Sequence, residues 1–185
     1  MSVTRVAYAA DGWGEGELWF EGTRLVWHEL PRPRPPSTGP HPHPGGGVHS
    51  RLPLRSTIPA KGARVGDATV PDVRRLVHTL ERYFRGECVR FGDVELDLDG
   101  LSEFQRAIAR TLRAVPYGEV VSYGELARSS GHPNAQRAAG TFCAQNRYPL
   151  ILPCHRVVAA DGLGSYGSLG LEYKRRLLEL EGVSL

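Results

Sequence analysis

The sequence predicts an α+β protein with a strand-rich first half and a helical second half. The first 30 residues are rich in Val, Trp, Tyr and Leu, which is typical of strands. The segment 31–50 then contains seven Pro and four Gly, so no regular helix or central strand continues through it. From residue 102 onward, apolar residues recur at helical spacing. We therefore expect an N-terminal α+β domain at 1–99, carrying the loop 31–50, and a helical domain at 100–185.

Composition limits the classes to which the chain can belong. Its 185 residues are 41% hydrophobic, which suffices for one large domain or two small ones. There is no apolar run of about 18 residues and no signal-peptide pattern, so we expect a cytoplasmic protein with no membrane partner. Three scattered cysteines do not suit a disulfide framework. The net charge of +3 comes entirely from residues 100–185, a mild indication of a polyanionic partner.

The first half has the pattern of a small sheet with one helix. Val3–Ala9 and Glu17–Leu30 are predicted strands, joined by the Gly-rich turn 11–16. Pro71–Phe84 has the apolar spacing of an amphipathic helix. Val94–Leu98 alternates apolar and acidic residues and is a predicted short strand.

Three histidines in the loop, His41, His43 and His49, raise the question of a metal. They imply no fixed geometry, and a solvated loop is the favoured interpretation. Residues 1–87 contain no Cys, so a thiolate zinc site there is not expected. We predict no metal site and no cofactor.

The second half has two helices with predicted N-caps, and a tight turn and a further helix follow the second of them. Ser102 and Ser122 have the residue type and position of N-caps. A helix, a Gly-containing turn and a second helix are typical of a helix-turn-helix, although an ordinary helical hairpin has the same pattern. The predicted elements are a helix from Ser102 to about Val115, Tyr123–Ser129, the turn 131–134, a small-residue helix Ala135–Gln145 and a final helix Glu172–Glu181.

The residues with the clearest chemistry follow an apolar run, Leu150–Leu152, which is a predicted short strand. Cys154 comes directly before His155 and Arg156, a possible base and a positive charge. A Cys is nucleophilic only as thiolate, so a base must remove its proton or its pKa must fall. Adjacent side chains on a strand point to opposite faces, so direct contact would require a bend or a bridging water. A structural, buried Cys is an equally good local interpretation.

The wider sequence resembles a known family. Residues 104–182 are similar to the C-terminal domain of O6-alkylguanine-DNA alkyltransferases, also called methylated-DNA–protein-cysteine methyltransferases. The Pro-Cys-His-Arg run is the most specific part of the match. The matching stretches are Val115-Pro116-Tyr117-Gly118-Glu119-Val120-Val121-Ser122-Tyr123, Gly140-Thr141-Phe142-Cys143-Ala144-Gln145-Asn146, Pro149-Leu150-Ile151-Leu152-Pro153-Cys154-His155-Arg156-Val157-Val158 and Lys174-Arg175-Arg176-Leu177-Leu178-Glu179-Leu180-Glu181-Gly182.

The resemblance implies a fold and an activity. It implies an RNase H-like sheet in the first domain and a winged-helix-like (helix-turn-helix) second domain. The implied activity is DNA repair, with irreversible transfer of a methyl or alkyl group from O6-alkylguanine, and from O4-alkylthymine, to Cys154. The implied partner is double-stranded alkylated DNA, bound through the minor groove by a monomer that flips the damaged nucleotide out of the stack.

The same resemblance assigns the catalytic residues. Cys154 is the alkyl acceptor, and His155 is a base that acts through a bridging water. Glu181 holds and polarises His155, and its place in the last turn of a helix is otherwise electrostatically unfavourable. Tyr123 donates a proton toward the guanine as the alkyl group leaves.

Contacts to DNA are implied for the second helix of the pair. Arg137 is expected to enter the base stack and fill the gap left by the flipped nucleotide. Ala135 and Gly140 are small enough for close approach to the groove, and Tyr123 also faces DNA. Small residues suit tight helix packing equally well.

A further group is expected to line or support the substrate pocket. Asn146 ties the turn before the active-site segment, and the carbonyls of Cys154 and Val157 accept the guanine amino group. Tyr166 lies one position away from the spacing typical of the family, so either the loop is remodelled or Tyr166 still reaches the pocket wall. The supporting residues are Asn146, Val157, Ser168 through its amide, Tyr166, Pro149 and Cys143.

Two other classes of function remain open. A non-catalytic protein that binds alkylated DNA lacks the acceptor Cys, whereas Cys154 is present. A Cys–His hydrolase needs a His that is remote in sequence and an oxyanion hole, and neither is indicated.

Overall fold

A computed structural model describes residues 3–33 and 71–185. The described chain is a mixed α/β structure, which confirms the broad fold class predicted from the sequence. Most of the loop 31–50, including all three of its histidines, lies outside the described residues. Among the residues described, no helix has the length and apolarity needed to span a membrane. The helices and strands, in chain order, are β1 Val3–Ala10, β2 Gly14–Glu21, β3 Arg24–Arg32, α1 Pro71–Phe84, α2 Glu103–Arg113, β4 Val121–Ser122, α3 Tyr123–Ser129, α4 Gln136–Ala144, β5 Val157–Val158 and α5 Gly170–Leu180.

The first three strands form an antiparallel sheet in the order β1-β2-β3. The prediction of one strand from Glu17 to Leu30 was wrong, because a two-residue turn at Gly22 and Thr23 divides it. Gly22 has a φ of +61°, which suits glycine and permits a tight hairpin whose ends pair Glu21 with Arg24. Helix α1 then packs against β1, with the bounds that the sequence predicts.

The predicted strand Val94–Leu98 was also wrong. Only Leu96 forms a β-bridge, a single parallel one to Leu25 of β3. Leu25 donates to the Glu95 carbonyl at 2.8 Å and accepts from the Asp97 amide at 2.9 Å. Leu96 is buried. The alternation of apolar and acidic residues from Val94 to Leu98 therefore reflects an irregular segment that is held against the edge of the sheet.

The capping residues of the second half lie where the sequence predicts. Ser102 and Ser122 both form capping boxes, at the start of α2 and α3 respectively, with Gln105 and Glu125 as the reciprocal partners. Each box satisfies amide groups that the first turn of a helix leaves free. The helix pair α3 and α4 packs together across the predicted turn, in which Asn134 adopts a left-handed conformation with a φ of +70°. Two packed helices joined by a tight turn are therefore present.

The predicted strand Leu150–Leu152 was wrong. These residues are buried in a turn: the Leu152 amide donates to the Tyr148 carbonyl at 2.8 Å, and Leu150 has a φ of +70°. Prolines flank the run, and a proline cannot donate to a strand ladder. Apolar periodicity alone does not distinguish a buried turn from a buried strand. The strand that does form, β5, follows the active-site segment and pairs with β4 in parallel.

One hydrophobic core joins the two halves, since its buried residues come from the sheet, from α1 and from α2 through α5. Polar contacts cross the same boundary. The His28 amide donates to the Arg147 carbonyl at 2.9 Å, and the Arg113 guanidinium donates to carbonyls of Phe91, Gly92 and Val94. The turn that carries Cys154 is therefore supported from both sides.

Candidate active site

Cys154 begins a single 3-10 turn, Cys154–Arg156, between Pro153 and β5. Successive side chains of such a turn project about 120° apart because it has three residues per turn. The Cys154 side chain is nearly enclosed, at 7% exposure. Burial raises the pKa of its thiol, opposed by a hydrogen bond from Asn146 and by the positive charge of Lys174. The resting thiol is therefore protonated at neutral pH, and nucleophilic chemistry requires a base.

His155, the next residue in the 3-10 turn, forms a buried pair with Glu181. His155 Nε2 lies 2.7 Å from Glu181 Oε1, and neither side chain is exposed. Burial lowers the pKa of His155, despite the hydrogen bond and negative charge of Glu181, which raise it. A neutral imidazole is therefore present at neutral pH and is available to accept a proton.

Within residues 3–33 and 71–185, Glu181 accepts hydrogen bonds from five donor groups. Arg156 contributes two, from Nε and Nη2 at 2.9 Å each, and the Gly118 amide contributes one at 3.1 Å. His155 and the hydroxyl of Tyr83, at 2.6 Å, complete the set. Burial alone raises the pKa of Glu181, but the donors from His155 and Arg156 outweigh it and hold that pKa well below its usual value. Glu181 is therefore a fixed carboxylate at neutral pH.

The second ring nitrogen of His155, Nδ1, is the atom of this pair that is available to accept a proton. Nδ1 is buried and has no hydrogen-bond partner among the described residues. Because Glu181 is ionised and only accepts, His155 Nε2 carries the ring proton and Nδ1 carries the lone pair. A buried polar atom of this kind is costly unless it has a partner, and a water molecule satisfies it well.

Lys174 places a buried ammonium near the site. Its side chain lies on α5 and donates to the carbonyls of Val157 and Leu163. Burial lowers the pKa of Lys174, while its positive charge lowers that of the Cys154 thiol. The cation therefore favours the thiolate once a proton has been removed.

Asn146 links the end of α4 to the Cys154 turn. Its Nδ2 donates to the Leu152 carbonyl at 2.7 Å and to the Cys154 sulfur at 3.1 Å. Its Oδ1 accepts from the Tyr148 amide at 3.0 Å. One side chain thus spans the turn and contacts the sulfur.

Tyr123, the first residue of α3, lies between two glycines. A Cβ at Gly140 would meet its ring at 3.7 Å, and one at Gly164 would lie only 3.2 Å from it. Gly164 also has a φ of +73°, so a larger residue is disfavoured there on both counts. Burial raises the pKa of Tyr123, so its hydroxyl keeps the proton that a donor needs.

An open cleft of about 420 Å³ adjoins Tyr123. Its walls come from α3, from the turn before α4 and from Ala159 and Ala160 after β5. Arg137 on α4 is exposed, Ala135 is the N-cap of that helix, and both Ala135 and Gly140 are partly buried. The small residues therefore contribute to packing as well as to the surface.

The other expected pocket residues lie at different depths. Tyr166 is buried near the Cys154 thiol, and its hydroxyl has no hydrogen-bond partner in the part of the chain that the structure describes. Ser168 is exposed in a 3-10 turn, and its hydroxyl accepts from Arg32 at 3.4 Å. The Val157 carbonyl already accepts from Lys174, and the Cys154 carbonyl accepts from the Val157 amide.

Two more predicted residues occupy supporting positions. The Pro149 carbonyl accepts from His28 Nδ1 at 2.8 Å, which links the active-site turn to β3. Cys143 is partly buried on α4, and burial raises the pKa of its thiol well above the usual value. The Cys143 thiol therefore stays protonated at neutral pH, as does that of Cys154.

Comparison with known proteins places this geometry in a family. The family model described as "6-O-methylguanine DNA methyltransferase, DNA binding domain" matches residues 103–183. A methylated-DNA–protein-cysteine methyltransferase from Methanopyrus kandleri is 47% identical over 132 residues, covering 71% of this chain and 92% of that protein. The chain belongs to the methylated-DNA–protein-cysteine methyltransferase family.

Other members of the family extend the likeness. The protein of that name from Mycolicibacterium paratuberculosis is 50% identical over 106 residues, covering 57% of this chain and 62% of that protein. A crystal structure of Mycobacterium tuberculosis OGT in complex with DNA superposes with a TM-score of 0.67 at 33% identity. That superposition covers 96% of this chain and 92% of the other. The likeness in structure therefore includes the first half, which the family model does not match.

Sequence reasoning missed three side chains of the site: Tyr83, Arg156 as a partner of Glu181, and Lys174. Lys174 offered a signal, since it lies three residues before the buried Leu177 on the apolar face of α5. A Lys on a buried stripe is rare unless it has partners. Tyr83 offered none, because an aromatic at its position in α1 is typical of core packing.

Proposed function

We propose that this protein repairs DNA by transferring an alkyl group from O6-alkylguanine, and from O4-alkylthymine, onto its own Cys154. The observation that carries the proposal is a buried, protonated Cys154 thiol followed in sequence by a neutral His155, whose Nδ1 has no hydrogen-bond partner among the described residues and whose Nε2 is bound to an ionised Glu181. This arrangement has a nucleophile, a base and a group that orients the base. Membership of the methylated-DNA–protein-cysteine methyltransferase family supports the choice of reaction.

The proposed reaction is a single in-line displacement at the alkyl carbon. The Cys154 proton passes through a water molecule to His155 Nδ1, and the sulfur attacks the alkyl carbon. The new S–C bond forms as the C–O bond to guanine breaks, and the electron pair stays on the purine. The Tyr123 hydroxyl donates a proton to the purine and later recovers one from solvent. The thioether is stable to water, so each molecule acts once, and no cofactor enters the reaction.

The proposed substrate is a nucleotide flipped out of double-stranded DNA bound by a monomer. An exposed Arg137 on α4, between small residues, supports insertion of that side chain into the base stack through the minor groove. The cleft beside Tyr123 is lined in part by Gln136, the residue before Arg137. The relative from Mycobacterium tuberculosis was crystallised with DNA, which supports a DNA partner. Because damage occurs in any sequence, phosphate contacts should dominate binding.

The finer structural descriptions belong to the same proposal. Residues 1–99 would form an RNase H-like domain and residues 100–185 a winged-helix-like one, acting in the cytoplasm. The packed helices α3 and α4 and the parallel β4–β5 pair support the second description.

Intact-protein mass spectrometry tests the reaction directly. Incubation with duplex DNA containing O6-methylguanine should add one methyl group per chain to the wild-type protein and none to Cys154→Ala. Cys88→Ser and Cys143→Ser are the matched controls and should react like wild type. Turnover beyond one equivalent, or a methyl group on another cysteine, would refute self-alkylation at Cys154. DNA binding without any mass change would indicate a binding protein instead.

A further inference from the structure

Tyr83 reaches the active site from α1, outside the segment that the family model matches. The residue is fully buried, with its ring packed edge-on against Phe84 and Tyr117 and with the His155 ring 6.4 Å away. Its hydroxyl donates to Glu181 Oε1 at 2.6 Å. A phenol buried this deeply needs a partner, and here the partner is the carboxylate of the proposed catalytic pair.

The geometry around Glu181 Oε1 determines which atom carries each proton. This oxygen faces Tyr83, His155 Nε2 and Arg156 Nη2 within 2.9 Å, and an ionised carboxylate only accepts. The Tyr83 oxygen lies 3.3 Å from His155 Nε2, so the contact to the carboxylate is the shorter of its two polar contacts. The hydroxyl therefore donates to Glu181, which leaves Oε1 as the acceptor for the Nε2 proton.

We propose that Tyr83 is a positioning residue for alkyl transfer, which holds Glu181 so that His155 keeps its proton on Nε2 and its lone pair on Nδ1. The inference rests on the proposed function. It assigns to the first half of the chain a direct part in completing the reactive site, although the nucleophile, the base and Glu181 all lie in the second half.

The charged groups around His155 determine the direction of the pH effect. The groups that face the ring are Glu181 at the end of α5, Arg156 on the same turn, Lys174 within α5 and Tyr83 on α1. Burial and a nearby carboxylate raise the pKa of Tyr83 well above its usual value, so it stays a neutral donor. Removing this donor leaves more negative charge on Oε1, which raises the pKa of His155.

Tyr83→Phe tests the proposal, with Tyr117→Phe as the matched control. The Tyr117 hydroxyl lies at the same junction and donates to the Gly86 and Leu180 carbonyls at 3.1 and 2.9 Å, away from the Glu181 carboxylate. The measurements are the single-turnover rate of methyl transfer from duplex O6-methylguanine DNA as a function of pH, and the affinity for the same duplex. Tyr83→Phe should lower the rate about ten-fold or more, the usual effect of losing a hydrogen bond to a charged group. The acidic limb of its pH–rate profile should move to higher pH, with DNA affinity unchanged.

The outcomes separate this inference from the proposed function. A wild-type protein that leaves Cys154 unmodified contradicts the proposed function itself. A reactive wild type with an unchanged rate and pH profile in Tyr83→Phe overturns only the role of Tyr83. Equal losses and profiles in Tyr83→Phe and Tyr117→Phe would also overturn it, since they would indicate a general effect of the junction.

A measurement on the wild-type protein keeps the test independent of how the variants fold. Nitrogen-15 NMR of the His155 ring at pH 8 should show protonated Nε2 and unprotonated Nδ1. The opposite tautomer would overturn the proposal.

Discussion

Replacing Glu181 with Gln should cost both stability and reactivity. The side chain keeps its size but loses its charge, and an amide NH₂ takes the place of one oxygen. If the NH₂ takes the Oε1 position, it meets the guanidinium of Arg156, which cannot accept a hydrogen bond. It also meets His155 Nε2, which can accept only by moving the ring proton to Nδ1.

The magnitude follows from burial and from the number of donors. Glu181 and Arg156 have side-chain exposures of 0% and 8%, so the Arg charge is left buried without its partner. Breaking a buried ion pair by removing one member costs about 3–5 kcal/mol. In either orientation of the amide, loss of the Glu181 charge lowers the pKa of His155 and so weakens the base at Nδ1. The transfer rate should fall by up to about 10²–10⁴-fold, the usual contribution of a general base.

Two measurements test these magnitudes. Urea titration at pH 7 gives the free energy of unfolding, and the reaction with methylated duplex DNA gives the single-turnover rate. The pKa of Glu181 is depressed, so its stabilising contribution is fully present above the unfolded value of 4.5 and is lost as pH falls through the folded value. Measurement at pH 7 therefore captures all of it. Glu179→Gln, an exposed change on the same helix, is the control and should behave like wild type. A Glu181→Gln protein within about 1 kcal/mol and three-fold of wild type would refute the reasoning.

Two further predictions concern the buried His28 and the exposed Arg137. His28 accepts from Tyr8 at Nε2 and donates to Pro149 at Nδ1, and burial lowers its pKa from 6.5 to about 4. The contribution of His28 to the free energy of unfolding is therefore full above pH 6.5 and falls by roughly 3 kcal/mol as the pH drops to 4, at 1.36 kcal/mol per pKa unit. Urea titrations at pH 6.5 and pH 4 should show a smaller loss of stability in His28→Gln than in the wild type. An equal loss in the two proteins would contradict the assignment. Arg137→Ala should slow repair of duplex DNA about ten-fold or more, because it removes a side chain that acts on DNA alone. Its reaction with free O6-benzylguanine should stay near normal. Equal losses of the single-turnover rate with both substrates would count against a role in flipping.

Local signals in the sequence predicted the parts of the structure that local physics decides. The capped helix starts at Ser102 and Ser122 depend on bonds within three residues, and they form as expected. The bounds of α1 follow from its apolar periodicity. The apolar run Leu150–Leu152 shows where this approach fails, since burial on all sides removes the periodicity that separates a strand from a turn.

By itself, the sequence predicted the candidate chemistry: an unpaired Cys154 followed by a His, in a run that resembles a known family, with Glu181 in matching register. Only the tertiary structure decided how that chemistry is held. In the folded chain, Tyr83 forms a hydrogen bond with Glu181, which lies 98 positions away in sequence. The buried charges of Arg156 and Lys174 lie in the same site. These contacts depend on how α1 and α5 pack around the Cys154 turn. The spacing of residues along the chain does not predict such packing, because the residues that come into contact are remote in sequence and are selected by shape and burial.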